Sequence, residues 1–163
     1  MRKSRFVAHA RALVLSVALG GLLAGCAGVP RSAVAPRVEL VNLAALGAAP
    51  GGQRFELTLL VENTGAEPLE IAGIRYSARL AGQGYVNGSS DAPIVLAGAS
   101  RRTVELTAES DGVASPSRLR AFVRGPDDAL DYELTGEFVL GGRPPRVLSF
   151  ASSGDVPFVS RGD

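Results

Sequence analysis

From Pro36 onward the hydrophobic residues recur mainly at every second position, and clusters of Gly, Pro, Asn and Asp interrupt the runs. That period belongs to strands with one buried face, separated by turns. Residues 37–43 supply a first strand. The clearest run is 53–63, where Phe55, Leu57, Leu59 and Val61 share a face, Arg54, Glu56, Thr58 and Glu62 take the other, and Leu60 is the exception. Asn63-Thr64-Gly65 offers a turn, and Pro68 opens the next strand. There Leu69 and Ile71 fall at odd positions and Ile74, Tyr76, Ala78 and Leu80 at even ones. A β-bulge at Gly73 absorbs that slip and keeps both sets facing the core.

Residues 81–84 read as a turn, and 85–90 and 93–96 as short, weaker strands near an edge. Val104 and Leu106 alternate with Thr103, Glu105 and Thr107 in another strand. One helix follows, with Ser115 as N-cap, Pro116 at the first helical position, Leu119, Phe122 and Val123 on one side, and Gly125-Pro126 as the stop. Leu130, Tyr132, Leu134, Phe138 and Leu140 restore period two through Gly136, and 146–151 forms a last strand. About seven strands and one short helix predict an all-β fold, an antiparallel two-sheet sandwich of the fibronectin-III or immunoglobulin kind.

The segment ahead of this body has a different character. A basic stretch over 1–11 precedes an apolar run over 12–23, too short to span a bilayer comfortably, which is the layout of a secretory signal peptide. The run ends in Leu23-Ala24-Gly25-Cys26, which resembles the bacterial lipobox. That resemblance implies cleavage between Gly25 and Cys26 and lipid attachment, palmitate included, at Cys26. Several acyl chains hold a membrane more firmly than one. Ala27 follows the cysteine where lipoproteins retained in the inner membrane tend to carry Asp, so the expected location is the outer membrane, facing the periplasm. The chain then divides into a signal peptide over 1–25, lipidated cysteine and tether over 26–36, a β domain over 37–158 and a tail over 159–163.

Cleavage changes the electrostatics. The only Lys, His and Met of the 163 residues lie in the segment removed and the only Cys is Cys26 itself, leaving 13 arginines against 16 acidic residues. The net charge becomes about −3, and nucleic acid is not an expected partner. A Ser-His or Ser-Lys nucleophile, a Schiff base and a His/Cys transition-metal site all lose their essential side chains. No cofactor is expected, and the protein reads as no enzyme.

The stretch Val61-Glu62-Asn63-Thr64-Gly65-Ala66-Glu67-Pro68-Leu69-Glu70-Ile71-Ala72-Gly73-Ile74-Arg75-Tyr76 resembles the late embryogenesis abundant (LEA) type 2 family, also called the WHy domain. Further echoes follow in order: the Gly82/Gly84 turn, Pro93 leading towards Val104, Tyr132-x-Leu134-x-Gly136, Gly154 and Pro157-Phe158. The sequence departs from the pattern at Asn63-Thr64-Gly65, where many members have Asn-Pro-Asn. The resemblance implies a sandwich with one helix and an association with desiccation or stress tolerance, and it carries over no catalytic residue.

Carboxylates and arginines supply the remaining site candidates. Asp127, Asp128, Asp131 and Glu133 offer oxygen ligands for Ca²⁺ or a glycosidase pair, yet they lack an EF-hand pattern, and Asp131 and Glu133 fall on the outward face of their strand. Arg101 and Arg102 offer a phosphate or lipid-headgroup contact, although a pair of arginines opening an edge strand is more often a guard against edge-to-edge pairing. The terminal Arg161-Gly162-Asp163 spells an adhesion tripeptide, read as coincidence. The function expected is that of a lipid-anchored, non-enzymatic periplasmic domain that binds or protects envelope components, with an envelope protein or a hydrophobic ligand as partner. The alternative is an accessory of an envelope assembly or transport complex that docks by an exposed strand edge. A carboxylate-dependent hydrolase comes third.

Overall fold

The computed structural model describes residues 34–50, 52–110, 116–124 and 128–161. Its strands are β1 (Arg37–Ala49), β2 (Gly52–Asn63), β3 (Leu69–Leu80), β4 (Gly84–Ser90), β5 (Ile94–Leu96), β6 (Ser100–Ser110), β7 (Ala129–Leu140) and β8 (Arg146–Ser160), with the single-turn helix α1 (Pro116–Arg120) between β6 and β7. The alternation predicted for β2 holds: Phe55, Leu57, Leu59 and Val61 are buried, and Leu60 is half-exposed. All six hydrophobic positions of the 69–80 strand are buried as well. The register slip that permits this lies between Ile71 and Gly73, so Ala72 is the bulged residue and Gly73 stays out of the left-handed region.

The all-β expectation stands, and the two-sheet sandwich does not. The strands run in the order β4-β6-β2-β1-β8-β7-β3, and β3 pairs back onto β4, closing a seven-strand mixed barrel with β5 added beside β3. All pairings are antiparallel except β1 with β8. Two seams make the difference. On one side β4 meets β6 only at Val86↔Ser110 and Asn87↔Glu109. On the other, β1 meets β8 only at Leu43↔Phe158, Ala44↔Val159 and Ala45↔Ser160. The arc β6-β2-β1 and the arc β8-β7-β3-β4 are thus hydrogen-bonded to each other at both margins, and the ring is one continuous sheet. The segment 85–90, expected near an edge, is the strand that closes the ring.

Both seams lie at the same end of the barrel, where β1, β6 and β8 finish and β4 begins. At that end α1 places Leu119 in the core, with Phe122 and Val123 packed beside it just beyond the last helical residue. The N-cap Ser115 and the Gly125-Pro126 stop lie outside the described residues. Tight connections reinforce the same end. Ala81 and Gly82 both have positive φ and Gln83 N–H donates to the Leu80 carbonyl at 2.8 Å, a tight turn inside the three-residue connection 81–83 of the β3–β4 hairpin.

The interior is filled by side chains, among them Phe55, Phe138, Leu57, Leu59, Ile74 and Leu130. Phe150 stacks obliquely on Phe138, with ring centroids 4.7 Å apart. It also lies over Gly136, where a Cβ would meet its ring at 2.4 Å. On the outer wall opposite charges face each other across ladders as directly paired residues: Arg54 with Glu109 at 3.4 Å, Arg101 with Glu62 at 3.3 Å and Arg79 with Glu133 at 3.8 Å. Exposed pairs contribute little each, and their joint value is to favour one register.

Candidate functional site

At the end opposite α1 the two arcs spread apart, which opens two splits, and the chain treats them differently. The split between β6 and the β4/β5 margin is stitched by side chains. Tyr76 donates its hydroxyl to the Thr107 carbonyl at 2.6 Å, Arg102 Nη1 donates to the Val95 carbonyl at 3.4 Å, and Asn63 Nδ2 reaches the carbonyls of Leu96 and Ala97 at 3.4 and 3.0 Å. Asn63 Nδ2 also donates to the Glu67 carbonyl at 2.8 Å, while its Oδ1 accepts from Gly65 N–H at 3.0 Å. This asparagine is itself buried, and it ties the turn after β2 to the turn before β6. Burial pushes the Tyr76 phenol well above its ordinary value, because ionising it would strand a charge among apolar neighbours.

The split between β1 and β8 is left open. Beyond Leu43 and Phe158 the two parallel strands part, and a cleft of about 650 Å³ lies between them. Ala35 to Glu39 form one wall and Ser149 to Asp155 the other, with Leu60, Glu62 and Tyr132 completing the lining. Among the lining residues is Tyr132, whose hydroxyl accepts from Leu40 N–H at 3.2 Å and lies 3.0 Å from Ser152 Oγ. One side chain thus satisfies a main-chain donor of β1 that no strand pairs with on that side. A smaller hollow of about 180 Å³ sits over the bulge, beside Gly73 and Asp91.

The residues singled out in the sequence do not converge on either cavity. Arg101 is engaged by Glu62 and Arg102 by the Val95 carbonyl, both at the start of β6, which is paired with β2 and is no free edge on that side. Asp128 sits exposed in a turn with φ 48°, and Asp131 and Glu133 point outward from β7 as expected. Among the described residues no group of three His, Cys, Asp or Glu is placed to hold a metal ion. Asp127, Gly25, Cys26, Gly162 and Asp163 lie outside the described residues. Arg161 is held by Glu56 at 2.6 Å, and its N–H donates to the Ala45 carbonyl. No helix among the described residues is long and apolar enough to cross a membrane.

Sequence reasoning missed the cleft because its wall, Ser152-Ser153-Gly154-Asp155, reads as a turn and is in fact the middle of β8. The available signal was the hydrophobic alternation resuming at Val156 and Phe158, both buried.

No family model matches the sequence, and no curated protein matches it. Solved structures do. The solution structure of AT1g01470 from Arabidopsis thaliana superposes with a TM-score of 0.55 at 14% identity, covering 81% of this chain and 87% of that one. The solution structure of a candidate late embryogenesis abundant (LEA) protein, At2g46140.1, gives 0.45 at 17% identity over 77% and 72%. A crystal structure of a protein from Archaeoglobus fulgidus gives 0.42 at 15% over 72% and 94%. At such identities what this chain shares with AT1g01470 is the fold alone.

Proposed function

We propose that this protein is a lipid-anchored, non-enzymatic domain of the LEA type 2 kind, held at the periplasmic face of a bacterial outer membrane, where it binds or shields envelope components under water stress. The observation that carries the reading is the distribution of residue types. A lipobox-like Leu23-Ala24-Gly25-Cys26 is followed by 137 residues that contain no His, Lys or Cys. Such a chain has an attachment point and lacks the side chains of nucleophilic and most metal chemistry. The LEA type 2 resemblance over 61–76 and the fold shared with AT1g01470 support the same reading. So does the packed interior, which directs any contact to the outer wall or the cleft rather than to a ligand inside the barrel.

The test is Cys26→Ser in the full chain. It is expected to yield an uncut precursor that takes up no labelled palmitate, and to lower survival of drying as far as a deletion from Pro36 onward does. A variant that is cut and labelled like the wild type overturns the anchor. A fully labelled protein whose deletion leaves survival and envelope integrity unchanged overturns the stress role.

A further inference from the structure

The barrel has two splits of the same origin, and only one is stitched. Across the β6 split Tyr76, Arg102 and Asn63 carry side chains to the facing main chain. Across the β1/β8 split a single hydroxyl, that of Tyr132, does this work, and a cleft the size of a ligand site remains. Leu40 N–H points into that cleft towards β8, and by the two-residue period of a strand the main-chain groups of Val38 point the same way. The facing margin of β8 over 149–155 likewise has no ladder partner, because β8 pairs with β1 only from Phe158 to Ser160. Two strand margins therefore face each other with a gap between them, and what fits between two such margins is a third strand.

The rims define its chemistry. With Val41 displaced at the register shift between Leu40 and Asn42, Glu39 and Asp155 come to about the same level on opposite walls. Among the described residues neither has an ion-pair partner, whereas Glu62, also in the lining, is paired with Arg101. Arg37 is the one cation of the lining. Apart from Phe150, the β8 wall up to Asp155 is small or hydroxylic: Ser149, Ala151, Ser152, Ser153 and Gly154. Such walls admit main chain closely and exclude no particular apolar group.

We infer that the β1/β8 cleft accepts an extended segment of a partner protein, added as a strand between β1 and β8 and carrying a basic side chain placed between Glu39 and Asp155. Main-chain bonds to both walls supply the binding, and the two carboxylates select the charge. Because β1 and β8 are parallel, the inserted segment runs antiparallel to both, the pairing with the better-aligned hydrogen bonds. The inference does not depend on the lipid anchor or on a stress role.

The experiment uses the full chain, isotope-labelled in detergent micelles, and two probes: a nine-residue peptide alternating valine with lysine and one alternating valine with glutamate. The lysine peptide is expected to shift the amide signals of 37–40 and 149–155, and to bind at least about tenfold more tightly than the glutamate peptide. Glu39→Lys combined with Asp155→Lys, both at exposed positions, is expected to reverse that preference. Equal binding of the two peptides, shifts centred on other strands, or no shift with either peptide overturns the inference. So does a change in the cleft signals with protein concentration alone, which assigns the cleft to a second copy of this chain.

Discussion

The side-chain amide of Asn63 and the main-chain carbonyl of Ala97 are joined at 3.0 Å across 34 positions of sequence. That bond and its three companions make the end of β2 and the approach to β6 one structure. The turns it joins lie so close that there is no room for a side chain at Gly98, whose Cβ would run into the main chain of Ala66.

Asn63→Ala removes all four bonds at a buried position, and the Ala97 carbonyl keeps a further side-chain donor, Ser100 Oγ at 2.7 Å. A loss of about 2 to 4 kcal/mol is expected, read from the urea midpoint of the purified chain. Asn63→Asp keeps the acceptor for Gly65 N–H but turns a carboxylate towards three carbonyl oxygens, so it is expected to be no better than the alanine variant.

At Gly98 a Cβ would stand 1.9 Å from the Ala66 carbonyl oxygen, with no flexible side chain to yield. Gly98→Ala is expected to cost more than about 3 kcal/mol or to prevent folding. Gly141→Ala is the control, since its Cβ would meet nothing closer than 3.8 Å. Near-equal midpoints for the two variants contradict the contact between these turns.

Tyr76 gives stability an alkaline limb. Its folded-state value is raised above the ordinary 10.0 by burial, so the folded protein holds the phenolic proton more tightly than the unfolded chain does. The contribution is fully present below about pH 10 and is lost as pH rises above it. Tyr76→Phe is expected to cost about 1 to 2 kcal/mol at pH 7 through the lost bond to Thr107, and to flatten the decline between pH 10 and 11.5. Melting curves across that range check both effects.

Ala44 points outward from β1 yet is fully buried, flanked by Glu56 on β2 and Val159 on β8. The Arg161–Glu56 ion pair spans β1 at this level and roofs it over. Ala44→Leu must displace that roof and crowd the only seam that β1 makes with β8. A loss of about 1 to 3 kcal/mol is expected, against little change for Leu46→Ala at a more exposed position nearby.

The buried faces were legible because a half-buried strand writes its orientation into every second residue, as in Phe55, Leu57 and Leu59. The slip between Ile71 and Ile74 was legible for the same reason, since one odd-to-even change needs one extra residue, although the bulge falls on Ala72 rather than on Gly73. Closure was not legible. Alternation states that Val86 and Leu43 face a core, and it is silent on whether the margins of their sheets meet, because main-chain pairing leaves no trace in side-chain type. The second half of β8 was hidden for a local reason: Ser152, Ser153, Gly154 and Asp155 have turn composition, and the barrel overrides it by supplying β7 along their whole length. The cleft followed from both omissions. Its walls are strands, and strands were expected to have neighbours.

The seam between Leu43 and Phe158 also sets an order on folding. Three of the ring's seven ladders, β1–β2, β3–β4 and β7–β8, join strands adjacent in sequence and can form as soon as both partners exist. The β1–β8 pairing joins almost the first residues of the domain to almost the last, so it pays the greatest loop-closure entropy and comes when everything between is in place. During synthesis β1 has only β2 beside it until the whole of β8 has emerged. The margin that later forms one wall of the cleft is therefore the longest-lived open edge of the nascent chain.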